Sequence, residues 1–322
     1  MKQVTIVLAG LLLLSTQIAC CGLSLPQVPV IEIPEVELPK IEDIEIPDVE
    51  IPDIELPTIE AGEMQEKQEM IPLPGTESMD VNVRVVFGAG ELTLGAGNSD
   101  QLFSGSFRYN VERWEPEVSY DDGSLTIEQG GTEEDWGIPT GNVENEWDIA
   151  FSPLVPLGMD FKIGAGDGNL DFTGLQLAAL DADLGAGNFK MHFGEPNESQ
   201  MSHLTLNTGA SKLEMTGIGN AGPERVNVQG GVGEIKLDFT GAWPNSADVE
   251  ITSGVGSVTL RLPDDVGVQV ETEGGLADVN VSGLQRASDA YVNDAFGDAE
   301  TELRIHVTTG IGSLRLIEVP NE

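Results

Sequence analysis

A Gly-x-Gly step returns down this chain at a nearly fixed interval, and no other feature restricts the fold as much. Gly164-Ala-Gly166 is followed by Gly185-Ala-Gly187, Gly209-Ala-Ser211, Gly231-Val-Gly233, Gly254-Val-Gly256, Gly275-Leu-Ala277 and Gly310-Ile-Gly312, with an earlier copy at Gly88-Ala-Gly90. From Gly164 the first glycines stand 21 to 24 residues apart, until a last interval of 35. A period in the twenties marks a stacked solenoid, in which each repeat is one turn that buries its apolar face against its neighbours. A corner repeated at the ~4.8 Å strand spacing leaves no room for a β-carbon and favours positive φ, hence the glycines.

Aligned on the first glycine, the residues four and six places later form two apolar columns. They hold Phe189 and Met191, Leu213 and Met215, Ile235 and Leu237, Val258 and Leu260, Val279 and Val281, and Leu314 and Leu316; the first repeat has Gly168 and Leu170. Strand alternation puts both columns on one face, the core side. The column between them is polar in every turn: Asn169, Lys190, Glu214, Lys236, Thr259, Asn280 and Arg315. Lys190, Glu214 and Lys236 are expected to form a ladder of alternating charge. The fold class is therefore all-β, with stacked parallel solenoid-like turns and an antiparallel amino-terminal section.

With 15 Lys+Arg against 55 Asp+Glu the formal charge is -40, which argues against nucleic acid or an anionic bilayer surface as partner of the folded part. Cysteine occurs only at Cys20 and Cys21, so the folded part has no disulfide, thiolate metal site or Cys nucleophile. Lys2 and the apolar run Val4 to Ala19 read as an export signal. A cysteine just after such a run resembles a bacterial lipoprotein signal, with Cys20 as the lipidated residue and Cys21 as the alternative; an ordinary signal or an uncleaved anchor reaching Leu25 are the competing readings. Residues 1–20 are thus a lipoprotein-type signal, and the location is the cell envelope, outside the cytoplasm and tethered to the membrane.

Residues 21–78 read as a spacer. Its pentads VIEIP, EVELP, DVEIP and DIELP remove backbone donors at every proline and fix φ, which favours an extended, polyproline-like chain. At ~3.1 Å per residue roughly 50 residues would reach about 150 Å. The isoleucines also suit partial docking on the folded domain. Residues 79–160 form an amino-terminal β section that begins with VNVRVVFGAGELTL and carries a hairpin insertion, with Asp121-Asp122-Gly123 as its turn. Residues 161–320 hold the glycine-turn repeats.

FGAGELTL, the insertion with SFRY and DDGSLTIEQ, WDIAFSP, the repeated G-x-G-x-[LVIF]-x-[LM] and the closing LRIHVTTGIGSLRL together resemble the bacterial toast-rack family, found in LiaF-type cell-wall-active-antibiotic response proteins and in adhesin-like domains. The resemblance spans roughly Asp80 to Val319. It implies a glycine-rich β domain, a role in sensing or buffering envelope stress, and no catalytic motif. Where LiaF-type proteins have several membrane helices, this chain has a signal and a spacer.

Chemistry is sparse. Asp171 and Asp238 share a column but lie three turns apart, roughly 14 Å, too far for the ~5 to 9.5 Å of a glycosidase pair. Asp181 and Asp183 face the same way on one strand, as a solvated face does. His192, His203 and His306 are scattered, which gives no metal triad, and no motif calls for a cofactor. No column brings a nucleophile to its base. Trp114, Trp136 and Trp147 in the insertion are the candidate ligand contacts, with capping of the solenoid end as the other role for Trp114 and Trp147. The expected function is a noncatalytic envelope lipoprotein that binds or senses, its partners a cationic peptide, a divalent cation or cell-wall glycan. An adhesin or structural surface protein, and a polysaccharide-acting β-helix enzyme, are the alternatives.

Overall fold

Alternating side chains make the strands of this protein, and paired glycines bend them. The computed structural model describes residues 58–75, 80–131 and 138–321. Cys20, Cys21 and Trp136 lie outside them. The described residues belong to one unit, Glu55–Glu322. The strands are β1 (Thr58–Glu60), β2 (Gln65–Pro72), β3 (Val81–Ala96), β4 (Gln101–Tyr109), β5 (Pro116–Asp121), β6 (Ser124–Gln129), β7 (Ile138–Thr140), β8 (Asn145–Phe151), β9 (Pro156–Asp171), β10 (Gln176–His192), β11 (Leu204–Thr216), β12 (Arg225–Asp238), β13 (Ala247–Pro263), β14 (Gly267–Ser282), β15 (Gln285–Ala287), β16 (Ala290–Val292) and β17 (Glu302–Val319).

In β3 the first arm buries Val81, Val83, Val85 and Phe87, and after the corner the second arm buries Leu92 and Leu94. The step from Phe87 to Leu92 is odd, so the corner shifts the alternation and both arms present apolar residues to the interior. The second glycine carries the bend: φ is 136° at Gly90, 130° at Gly166, 144° at Gly187, Gly233 and Gly256, and 147° at Gly312. A β-carbon there would run into the carbonyl of the corner beside it or, at Gly90, into that of Asn145.

Each long strand lies parallel to the next with its corner in register, so that Ala89, Ala165, Ala186, Ala210, Val232, Val255 and Ile311 form one line across the sheet. The strand order is β15-β16-β14-β17-β13-β12-β11-β10-β9-β3-β8-β4-β2, with β5 and β6 branching from β3. The sheet divides at its amino-terminal end: β6 continues the first arm of β3, and β8 continues the second. Antiparallel pairing, the expected amino-terminal character, joins β8 to β4, β4 to β2 and β5 to β6.

One expectation is corrected, and the strand order departs from the order along the chain. Residues 21–78 are not all spacer, because β2 is hydrogen-bonded to β4 as an edge strand and β1 pairs with β7. The proline pentads stop at Pro57, and QEKQEMI has no proline to prevent pairing. The turns also do not stack in chain order: β17, the last, inserts between β13 and β14. This leaves β14 near the end of the sheet, where Val279 is 37% exposed while its neighbour Leu314, and Val258 one strand further in, are 1% exposed.

Candidate functional site

Outward side chains of the first arms fall into rows, because the parallel ladder repeats the same face on every strand. One row runs Thr205, Asn227, Glu250, His306, Glu271 across β11, β12, β13, β17 and β14. A second, two residues earlier, holds Arg225, Asp248, Arg304 and Gln269, with His203 just before β11. Between them lies a groove of about 770 Å³, floored by the strands and lined by these two rows. It gathers two of the three histidines and two of the arginines of an acidic chain.

The lining mixes donors and acceptors. His306 lies between two carboxylates, its Nδ1 4.0 Å from Glu271 and its Nε2 4.0 Å from Glu273. Arg304 donates to Glu302 at 3.0 Å. Arg225, Asp248, Glu250 and Gln269 make no side-chain hydrogen bond or ion pair among the described residues, which leaves their polar atoms available. The three acids Asp248, Glu250 and Glu271 stand among two arginines and two histidines, so the groove mixes charges of both signs.

At the groove's β11 end the structure brings together residues that sequence reasoning kept apart. Ser202 Oγ lies 2.9 Å from His203 Nδ1, and His203 Nε2 lies 3.0 Å from Asp181 Oδ2. A nucleophile, a base and an orienting acid therefore do meet, contrary to the expectation from the columns. The ladder places β10 beside β11, and Asp181 is 22 residues from its histidine. The hydroxyl has one proton and a second acceptor, the Ala178 carbonyl at 3.1 Å. Spent there, that proton anchors the serine and leaves it unactivated.

The other candidate residues fall elsewhere. Trp147 is 1% exposed, packed edge-on against Phe87 and Phe107 and donating its Nε1–H to Asn145 at 3.0 Å, so it fills the core where the sheet divides and offers a ligand no surface. Trp114 closes a short helical turn, Glu112–Trp114, and is buried with Val111. Asp171 accepts from the backbone and hydroxyl of Thr173, and Asp238 accepts from Arg261 at 2.8 Å. Asp183 accepts from Asn207 at 2.8 Å. Among the described residues no group of three His, Cys, Asp or Glu could hold a metal ion. The ladder Lys190, Glu214, Lys236 exists in register, yet the ion pairs converge on Glu234, from Lys236 at 2.8 Å and Lys212 at 3.2 Å. The hydrogen bond from Lys236 holds the Glu234 carboxyl below its ordinary range.

Residues 60–214 and 197–261 match the toast-rack N-terminal domain, DUF2154. The matched residues exceed half of the sequence, and the chain belongs to the toast-rack family. No curated protein matches it. Among solved structures, a candidate cell adhesion protein from Clostridium sporogenes is 24% identical with a TM-score of 0.46, over 80% of this chain and 100% of its own. A candidate adhesin from Bacteroides fragilis is 12% identical with a TM-score of 0.36, over 80% and 99%. A candidate lipid-binding protein from Parabacteroides distasonis is 9% identical with a TM-score of 0.31, over 80% and 99%.

Proposed function

We propose that this chain is a noncatalytic binding module of the cell envelope, tethered by a lipid on Cys20 or Cys21, whose ligand occupies the groove between the rows of Arg225 and His306. The observation that carries this reading is the set of unpartnered polar side chains gathered in one concave surface of an otherwise acidic domain. The apolar run before Cys20 and the proline pentads after it suit display at a distance from a membrane. Sensing of envelope stress is the role in which such a module would serve, with adhesion as the alternative. A single variant, Arg225→Ala with Arg304→Ala, tests the groove: both side chains are exposed, so melting stays within about 0.5 kcal/mol of the parent while capture of isolated cell-wall glycan falls at least tenfold. Unchanged capture by the folded double variant would remove the groove from the account. Mass spectrometry of the amino-terminal peptide tests the tether, an acylated cysteine being the expected species and an unmodified terminus the contrary one.

One observation favours a second reading. The Ser202, His203, Asp181 series stands at one end of the same groove, which His203 lines, and a hydrolase acting on a bound ester or amide would use such a series. A fluorophosphonate probe separates the two readings, since the binding module leaves Ser202 unlabelled, whereas covalent labelling lost in Ser202→Ala would establish an activated serine.

A further inference from the structure

A second trough lies on the same outer face, nearer the corner. It holds about 540 Å³ and is lined on its outer row by Val86, Lys162, Asp183 and Asn207, in register across β3, β9, β10 and β11. The two troughs meet on β11, where Thr205 lines the first and Asn207 the second, two residues apart on one face. Joined, they cross β14, β17, β13, β12, β11, β10, β9 and β3, seven strand spacings or about 34 Å at ~4.8 Å each. We propose that they are one track for a linear, uncharged polysaccharide laid across the strands.

Three observations select that ligand, and the choice rests on the binding reading above. Along the track Arg225, Arg304 and Lys162 alternate with Asp183, Asp248, Glu250 and Glu271, so a polyanion and a polycation would each meet like charge at several strands. A neutral polyol meets no repulsion, and each of its hydroxyls both donates and accepts, as a mixed row requires. The backbone groups of these strands are committed to the ladder, so an extended peptide finds no free edge here and would have to be held by side chains alone. Finally, the face repeats at the strand spacing, and a sugar unit in an extended chain advances by close to that distance, so successive units meet equivalent positions on successive strands. The track exposes no aromatic ring, so the grip is hydrogen bonding and should be spread over many units.

The test is a calorimetric titration of the full chain with β-1,4-linked N-acetylglucosamine oligomers and β-1,4-linked glucose oligomers of increasing length. Affinity for at least one series should rise about tenfold or more from tetramer to octamer, the octamer alone being long enough to cover both troughs. Lys162→Ala, at an exposed position in the second trough, should reduce that gain, while Arg304→Ala, in the first, should weaken tetramer and octamer alike. No gain in affinity beyond the tetramer, or an octamer indifferent to Lys162→Ala, overturns the track and leaves the groove standing. Binding of oligolysine with no binding of either oligomer series overturns the polysaccharide as ligand, and failure of all three overturns the track and the groove together.

Discussion

Alanine at Gly187 would need φ near 144° and would press its β-carbon into the Gly166 carbonyl of the adjoining corner. Positive φ and overlap with backbone, which cannot yield as a side chain can, should together cost about 3 kcal/mol or more. Urea denaturation of Gly187→Ala would show it, and a midpoint equal to the parent's would contradict the corner geometry. Ser211 takes the equivalent position on β11, and its buried hydroxyl has no hydrogen-bond partner among the described residues. Ser211→Ala should therefore stabilise by roughly 1 kcal/mol, read as a rise in Tm of about 2–4 °C; a fall would mean that the hydroxyl is satisfied. The glycines could be read from the sequence because a corner that recurs in register imposes one residue type at one spacing. The meeting of Ser202, His203 and Asp181 could not, since it depends on which strand lies beside which.

Val258 and Val279 occupy the same column, yet Val258 lies inside the sheet and Val279 near its end, at 1% and 37% exposure. Val258→Ala should cost about 2 kcal/mol and Val279→Ala under about 1 kcal/mol, measured by the same denaturation; equal costs would contradict the placement of β17 between β13 and β14. The apolar columns were legible because alternation is local. The order of the last two turns was not, because both strands have the same pattern and nothing in their residues ranks them. The ordering of β2 was equally hidden, since QEKQEMI gains its place only from the β4 backbone opposite. On β17, burial and then the charges of Asp294 and Asp264 raise the Glu318 carboxyl above its ordinary range. Its ionised form therefore opposes folding above the raised value. Glu318→Gln should melt higher than the parent at neutral pH, by a small margin, with the difference shrinking as pH falls through the folded value and gone below the unfolded one. A margin that grows on acidification would contradict that sign.

At the scale of the whole molecule, one bent sheet has an interior between its arms and a polar outer face on which rows of side chains repeat from strand to strand. The groove was not legible in the sequence, because His203 and His306 stand far apart in the chain and only the ladder running from β11 through β12 and β13 to β17 brings them onto one face. Trp147, which the sequence offered as a ligand contact, serves the core instead, since an aromatic ring beside polar loops reads alike whichever way its strand faces. The most direct measurement is a map of amide shifts in the isotope-labelled chain on adding cell-wall glycan fragments. The account predicts shifts concentrated at Thr205, Asn227, Glu250, His306 and Glu271; shifts confined to the corner line of Val232, Val255 and Ile311, with the groove silent, would contradict it.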